Sequence, residues 1–240
     1  MAFRHGKNTG VLFGAYDLSS YFKSASAANS VDTAEATGFG STAKGYVVGL
    51  KNGTANVEGM FDGSVGAVDE ALSAAFTAGV GKPTTITPDG YVVGRRAHLL
   101  SSLSSTYEVD SPIGDVVSVK GMFQADGGID FGFLLSSAVI AATGNGPAVD
   151  NTTATTNGGV AHLHIPANTS NGTIVVKVQH STDNITFVDL VTFTTVVAAT
   201  PTSERVAVAP GTTVNRYVRA SYTLAGTTGS ATIAVAFARR

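Results

Sequence analysis

The chain has 240 residues, of which 43% are apolar and only 13% charged, with a net charge of −2 and neither cysteine nor tryptophan. That length suits one large β domain or two smaller ones, and the apolar fraction is enough for real cores. The same figures exclude a disulfide framework, a thiolate nucleophile and a cysteine-ligated metal, and they fit tight, sequence-specific DNA binding poorly.

So sparse a charge implies that neighbouring copies cover much of the surface, because a soluble monomer normally keeps a charged one. The opening MAFRHGKNTG has no apolar leader core, and no run approaches the ~18 apolar residues that a membrane span needs. The expectation is synthesis in a cytoplasm, with no membrane association.

Residues 11–22, VLFGAYDLSSYF, read as a strand with a bend near Asp17-Leu18-Ser19. Residues 23–44, KSASAANSVDTAEATGFGSTAK, are small, polar and aperiodic, a loop longer than the ~12–15 residues that compact domains usually leave without structure. Residues 45–61 then alternate on either side of Asn52-Gly53, the pair best able to supply the positive φ angles of a two-residue type I′ turn. This predicts a β-hairpin with Lys51 facing Thr54, Leu50 facing Ala55, Val48 facing Val57 and Tyr46 facing Gly59. Its apolar face carries Tyr46, Val48, Leu50, Val57 and Phe61; its lean face carries Val47, Gly49, Asn56, Glu58 and Met60 and suits water or another subunit.

The period then changes. Val68, Leu72, Ala75 and Phe76 fall on one helical stripe, with Asp69 and Glu70 in the first turn and Gly79 as the stop. After KPTTITPDG, residues 91–109 read as a strand, and residues 115–135 as a second hairpin turning within Asp126-Gly127-Gly128. The echo of Gly59-Met60-Phe61 in Gly121-Met122-Phe123 is compatible with a duplicated element. Residues 143–159, TGNGPAVDNTTATTNGG, read as a linker between a domain over 1–142 and a second over 160–240. In the latter, Val/Thr-rich runs at 160–165, 174–180, 187–193, 204–208, 214–224 and 231–238 predict an antiparallel β-sandwich or jelly roll. The fold class is therefore mainly β with one short helix.

Little in the chain carries chemistry. His162 and His164 share one face of a strand and His180 lies on another, but no carboxylate stands at recognised spacing, so surface or edge histidines are the preferred reading and no metal is expected. His180, Ser181 and Asp183 are too close in sequence to converge as a triad. No glycine-rich spot is followed by Lys-Ser/Thr, which excludes a P-loop. Arg95-Arg96 and Arg239-Arg240 are too short for a basic patch. The chain is expected to be no enzyme and to use no cofactor.

The order of these features resembles a known family. The strand with Tyr16-Asp17-Leu18-Ser19, the segment Val31-Asp32-Thr33-Ala34-Glu35 leading to Phe39-Gly40-Ser41, the Asn52-Gly53 segment ending in Gly59-Met60-Phe61-Asp62-Gly63, the single helix and the second hairpin look like the major tail tube proteins of long-tailed, siphovirus-type bacteriophages. The likeness covers residues 1 to about 140 best. Residues 178–193 and 215–219 are similar to a module at the C-terminal side of such proteins. The resemblance implies a tail-tube-like β-sandwich/barrel followed by a C-terminal β-sandwich, in a structural virion protein of the tail. It further implies self-assembly into rings, commonly hexamers, stacked into a hollow tube through which double-stranded DNA passes into the host. It implies contacts with other tail proteins such as the tape measure, tail terminator and distal tail protein. The segment at 23–44 would reach a neighbouring subunit, with Val31, Asp32, Thr33, Glu35, Phe39 and Lys44 as contact residues. Val47, Gly49, Asn56, Glu58 and Asp130 would face the lumen. Two rival readings share the β-rich, low-charge composition: a capsid decoration or fibre protein, and a carbohydrate-binding adhesin using Phe187, Tyr217 and Tyr222.

Overall fold

The computed structural model describes residues 5–197, 199–226 and 228–240; Met1–Arg4, the first part of the opening MAFRHGKNTG, lie outside them. The described chain is mainly β with antiparallel pairing throughout and one α-helix. No helix among the described residues is long and apolar enough to cross a membrane.

The first strands are β1 (Gly10–Phe13) and β2 (Tyr16–Asp17), a tight hairpin in which Phe13 faces Tyr16. The reversal comes at Gly14, whose φ of 55° needs glycine, rather than only near Asp17-Ser19. The expected loop at 23–44 is mostly strand: β3 (Phe22–Glu35) pairs along its length with β4 (Tyr46–Met60), leaving only residues 36–45 as the connection. Small residues such as Ser, Ala and Asn gave no periodicity to read, yet an extended backbone paired on one side needs none.

The two expected hairpins are likewise single strands. Asn52-Gly53 is no turn; it lies inside β4, with Asn52 opposite Ser30 and Gly53 opposite Asn29. Gly53 serves close packing there, since a Cβ on it would meet Asn29 Oδ1 and Ile129 Cγ1 at 2.9 Å. The second run is β7 (Ser118–Ile140), which continues straight through Asp126-Gly127-Gly128. Both glycines have φ near 80°, but they form a bulge instead of a reversal: β6 (Arg96–Asp110) pairs Ser101 with Asp126 and Leu99 with Asp130 on its two sides. The facing pairs expected across Asn52-Gly53 are therefore absent.

Between β4 and β6 come α1 (Val68–Ala78) and β5 (Lys82–Thr87). Asp69 and Glu70 sit in the first turn of α1, and Gly79, at φ 61°, ends it with its N–H on the Ala75 carbonyl. The buried stripe is Val68, Ala71, Leu72 and Ala75; Phe76, expected on it, is 49% exposed because it lies a further 100° or so around the helix from Ala75.

The remaining strands are β8 (Gly144–Asn145), β9 (Val149–Asp150), β10 (Gly159–Asn168), β11 (Thr173–Ser181), β12 (Val188–Thr192), β13 (Val196–Val197), β14 (Thr202–Val208), β15 (Tyr217–Ala225) and β16 (Ala231–Arg239). One sheet runs β14-β10-β16-β7-β6-β5-β1-β2, with β3 and β4 branching from the first half of β7; the other is built from β12, β11, β15 and β13 with β8 and β9. Pairing thus crosses the expected linker at 143–159. The second half of β7 pairs with β16, and the segment itself adds β8 and β9 to β15.

Two main cores follow. Leu135, Leu163, Ile165, Val176, Phe193, Val218 and Ile233 fill the space between the two sheets, while Val11, Phe13, Val57, Leu72, Ile86, Phe123 and Ile129 fill that under α1. A third, smaller group, Ala97, Leu99, Leu134, Val160, Ala236 and Ala238, lies on the other face of the large sheet.

Candidate functional site

The sheet that branches at β7 has the order β3-β4-β7-β6 and two unlike faces. Alternation decides which side chains go where. Ala55, Val57, Val119 and Phe123 point inward to α1, β1 and β5, where Phe13 stacks on Phe123 at 4.9 Å between ring centroids. The opposite face is open. One row across it reads Ser24, Glu58, Lys120, Glu108, and the next Ser26, Asn56, Met122, Thr106. Its charges are balanced by short pairs, Lys23 Nζ to Glu58 at 3.5 Å and Lys120 Nζ to Glu108 at 3.6 Å.

Both outer edges of this four-strand unit are free. Among the described residues β3 pairs only with β4, and β5 covers β6 only over His98–Ser102, leaving 103–110 bare on that side. Each strand runs opposite to its neighbour, so β3 and β6 are themselves antiparallel.

Beyond Gly53 the third strand is lost, and β3 and β4 continue as a two-stranded ribbon from Val31 opposite Lys51 to Glu35 opposite Tyr46. Among the described residues its faces stand open: Tyr46, Val48 and Leu50 are 58%, 72% and 79% exposed, and Phe39 at the tip is wholly so. The tip is nonetheless built. Lys44 Nζ and Thr37 Oγ1 both donate to Glu35 at 2.9 Å, and the lysine contact leads in holding that carboxyl below its usual range.

The residues singled out from sequence fall into three places. Val31, Asp32, Thr33, Glu35, Phe39, Lys44, Val47 and Gly49 all belong to the ribbon and its tip. Asn56 and Glu58 lie on the open face of the sheet. Asp130 joins neither: it follows the β7 bulge and is gripped by Arg240 at 2.8 and 2.9 Å, with Arg205 at 3.7 Å. Lys120 and Glu108 complete the row that Glu58 begins, and only the register of four strands could reveal it.

The C-terminal aromatics are not open platforms. Arg219 lies 3.8 Å over the Phe187 ring, held there by Gln179, and Arg216 lies 4.8 Å over Tyr217; Tyr222 packs against the core. The histidines are also unlike their expected surface positions. His162 and His164 are fully buried, whereas His180 lies in the other sheet and accepts a hydrogen bond from the Asn215 N–H at 3.1 Å.

No family model matches the sequence, and no curated protein does. Among solved structures the chain is similar to one in the virion of a native gene transfer agent (GTA) particle, at 14% identity and TM-score 0.43 over 54% of this chain and 98% of that one. It is similar to the SPP1 tail tube at 12% identity and TM-score 0.42, over 53% of this chain and 77% of that one. It is also similar to the SPP1 Dit protein, at 13% identity and TM-score 0.35 over 96% and 98%.

Proposed function

We propose that the chain is a structural subunit of a phage-type tail, whose four-strand sheet joins edge to edge with further copies in a ring, the rings stacking into a hollow tube. The observation that carries this reading is the pair of free edges on β3 and β6, which run in opposite directions. The next copy's β3 would therefore meet β6 antiparallel, continue the alternation and leave no edge unpaired once the ring closes. Six copies would give a barrel of about 24 strands, wide enough for an aqueous channel.

The two faces of the sheet support the same assignment. The inner face is already buried by α1, so the open face is the one left to line the lumen. Its described lysines, Lys23 and Lys120, are each matched by a carboxylate, which would weaken their grip on the phosphates of passing DNA. The exposed apolar ribbon would reach a neighbouring subunit, and the C-terminal sandwich would stand on the outside of the wall.

Electron microscopy of the purified protein at rising concentration tests this, beside a variant in which residues 31–51 are replaced by Asn-Gly, joining Ser30 to Asn52 where they already face each other. Hollow tubes or stacked rings from the intact chain, lost in the shortened and still folded variant, are expected. Discrete monomers from both would count against the reading.

A further inference from the structure

The long path of the large sheet curls until its far ends meet: β10 packs on β2 and β5 with no ladder between them. Side chains bridge that seam instead. Thr85 Oγ1, on β5, lies 3.1 Å from His162 Nδ1 and 2.8 Å from His164 Nε2, and His164 Nδ1 lies 2.8 Å from the Gly14 carbonyl in the β1–β2 turn.

Hydrogen-bond logic assigns the protons. A carbonyl only accepts, so His164 Nδ1 carries hydrogen and its Nε2, in a neutral ring, accepts from the Thr85 hydroxyl. The same hydroxyl oxygen then accepts from His162 Nδ1, while His162 Nε2 has no hydrogen-bond partner among the described residues. The hydroxyl proton thus serves His164 and the hydroxyl oxygen serves His162: a proton added at His164 Nε2 takes away the acceptor that the hydroxyl uses, and one added at His162 Nε2 makes a buried N–H with no acceptor among the described residues.

Burial opposes added charge, and it outweighs the hydrogen bonds of His164 to the Gly14 backbone and of His162 to the Thr84 backbone, which favour it. Arg205 on β14 faces His162 across the ladder, and Asp17 on β2, the acid that acts on His164, is already engaged by Ser19 and Tyr91. Opposite the two rings β16 offers only Ala236 and Ala234, β5 offers threonines, and the Lys82 stem lies beside Gly14.

We propose that the His162–Thr85–His164 chain is an acid-sensitive clasp, whose protonation parts β1, β2 and β5 from β10 along the seam while the ladders of the second sheet stay paired. The pH window follows from burial, which lowers His164 to about 4 and holds His162 well below its ordinary range, against an ordinary 6.5 once the seam is open. Below pH 6.5 the open form binds more protons, so opening gains roughly tenfold per histidine for each pH unit, until the closed form also titrates.

Hydrogen–deuterium exchange of the full chain at about pH 7 and about pH 4.5, corrected for intrinsic rates, tests the clasp beside a His162→Gln/His164→Gln variant. Protection of Gly10–Asp17, Lys82–Thr87 and Gly159–Asn168 is expected to fall in acid while that of Thr173–Ser181 holds, and the variant is expected to lose the difference. An equal acid response in a folded variant, a uniform loss over the chain, or no loss in the parent would overturn the proposal. Imidazole nitrogen spectra of the parent serve even if the variant does not fold: both rings should stay neutral to below pH 5 or so, and ordinary titration near the unperturbed value would overturn the clasp.

Discussion

Asn29 holds together the place where two expected turns failed to form. Its side-chain amide donates to the Ile129 carbonyl at 2.8 Å and its Oδ1 accepts from the Ile129 N–H at 3.0 Å, so one side chain replaces a missing rung beside the Gly127-Gly128 bulge. Asn29→Ala should leave both backbone groups without a partner, with a loss of about 1–3 kcal/mol by urea denaturation. Tyr107 illustrates a pH effect at the same scale. Its hydroxyl bonds Asp69 at the start of α1, and burial, followed by that carboxylate, pushes its pKa up to about 12. The folded state thus keeps a proton that the unfolded chain releases near 10, so this contribution is intact below pH 10 and is lost between 10 and about 12. Tyr107→Phe should remove about 1 kcal/mol at neutral pH and flatten the alkaline limb of a stability–pH curve.

At the scale of elements, α1 and the open edges give separate expectations. Leu72 is buried between α1 and the back of the four-strand sheet, and Leu72→Ala should cost about 2–5 kcal/mol in denaturant unfolding. Phe76 projects outward, so Phe76→Ser should change stability by less than about 1 kcal/mol. The edges are probed with cysteine, which the chain lacks. Ser26→Cys on β3 combined with Ser105→Cys on β6, both exposed, should give an oxidised ladder of covalent oligomers, with each single variant forming no more than dimers. Absence of the ladder from assembled protein would refute edge-to-edge joining without refuting assembly.

Over the whole molecule, the N- and C-terminal halves share one sheet. Residues 133–140 of β7 pair with β16, and Leu134 and Leu135 are buried against C-terminal strands. A fragment of residues 1–142 would therefore expose a strand edge flanked by apolar side chains. It should aggregate on size exclusion where the full chain does not, whatever the apparent break at 143–159.

Composition and local pattern were enough for the class of fold. Alternating Val/Thr runs found β10, β11, β12, β14, β15 and β16 to within a few residues, and the spacing of Val68, Leu72 and Ala75 with Gly79 found the single helix. Each of those signals depends on neighbours a few residues apart. Tertiary structure alone decided that Asn52-Gly53 and Gly127-Gly128 do not turn, because long-range pairing with β3 and β6 outweighs a local turn preference worth little by itself. It also decided that His162 and His164 are buried partners of Thr85, some 77 and 79 residues away, and that Glu58, Lys120 and Glu108 form one row. Strand order and register are relations between distant segments, and they set the free edges on which the functional reading depends and the seam on which the clasp depends.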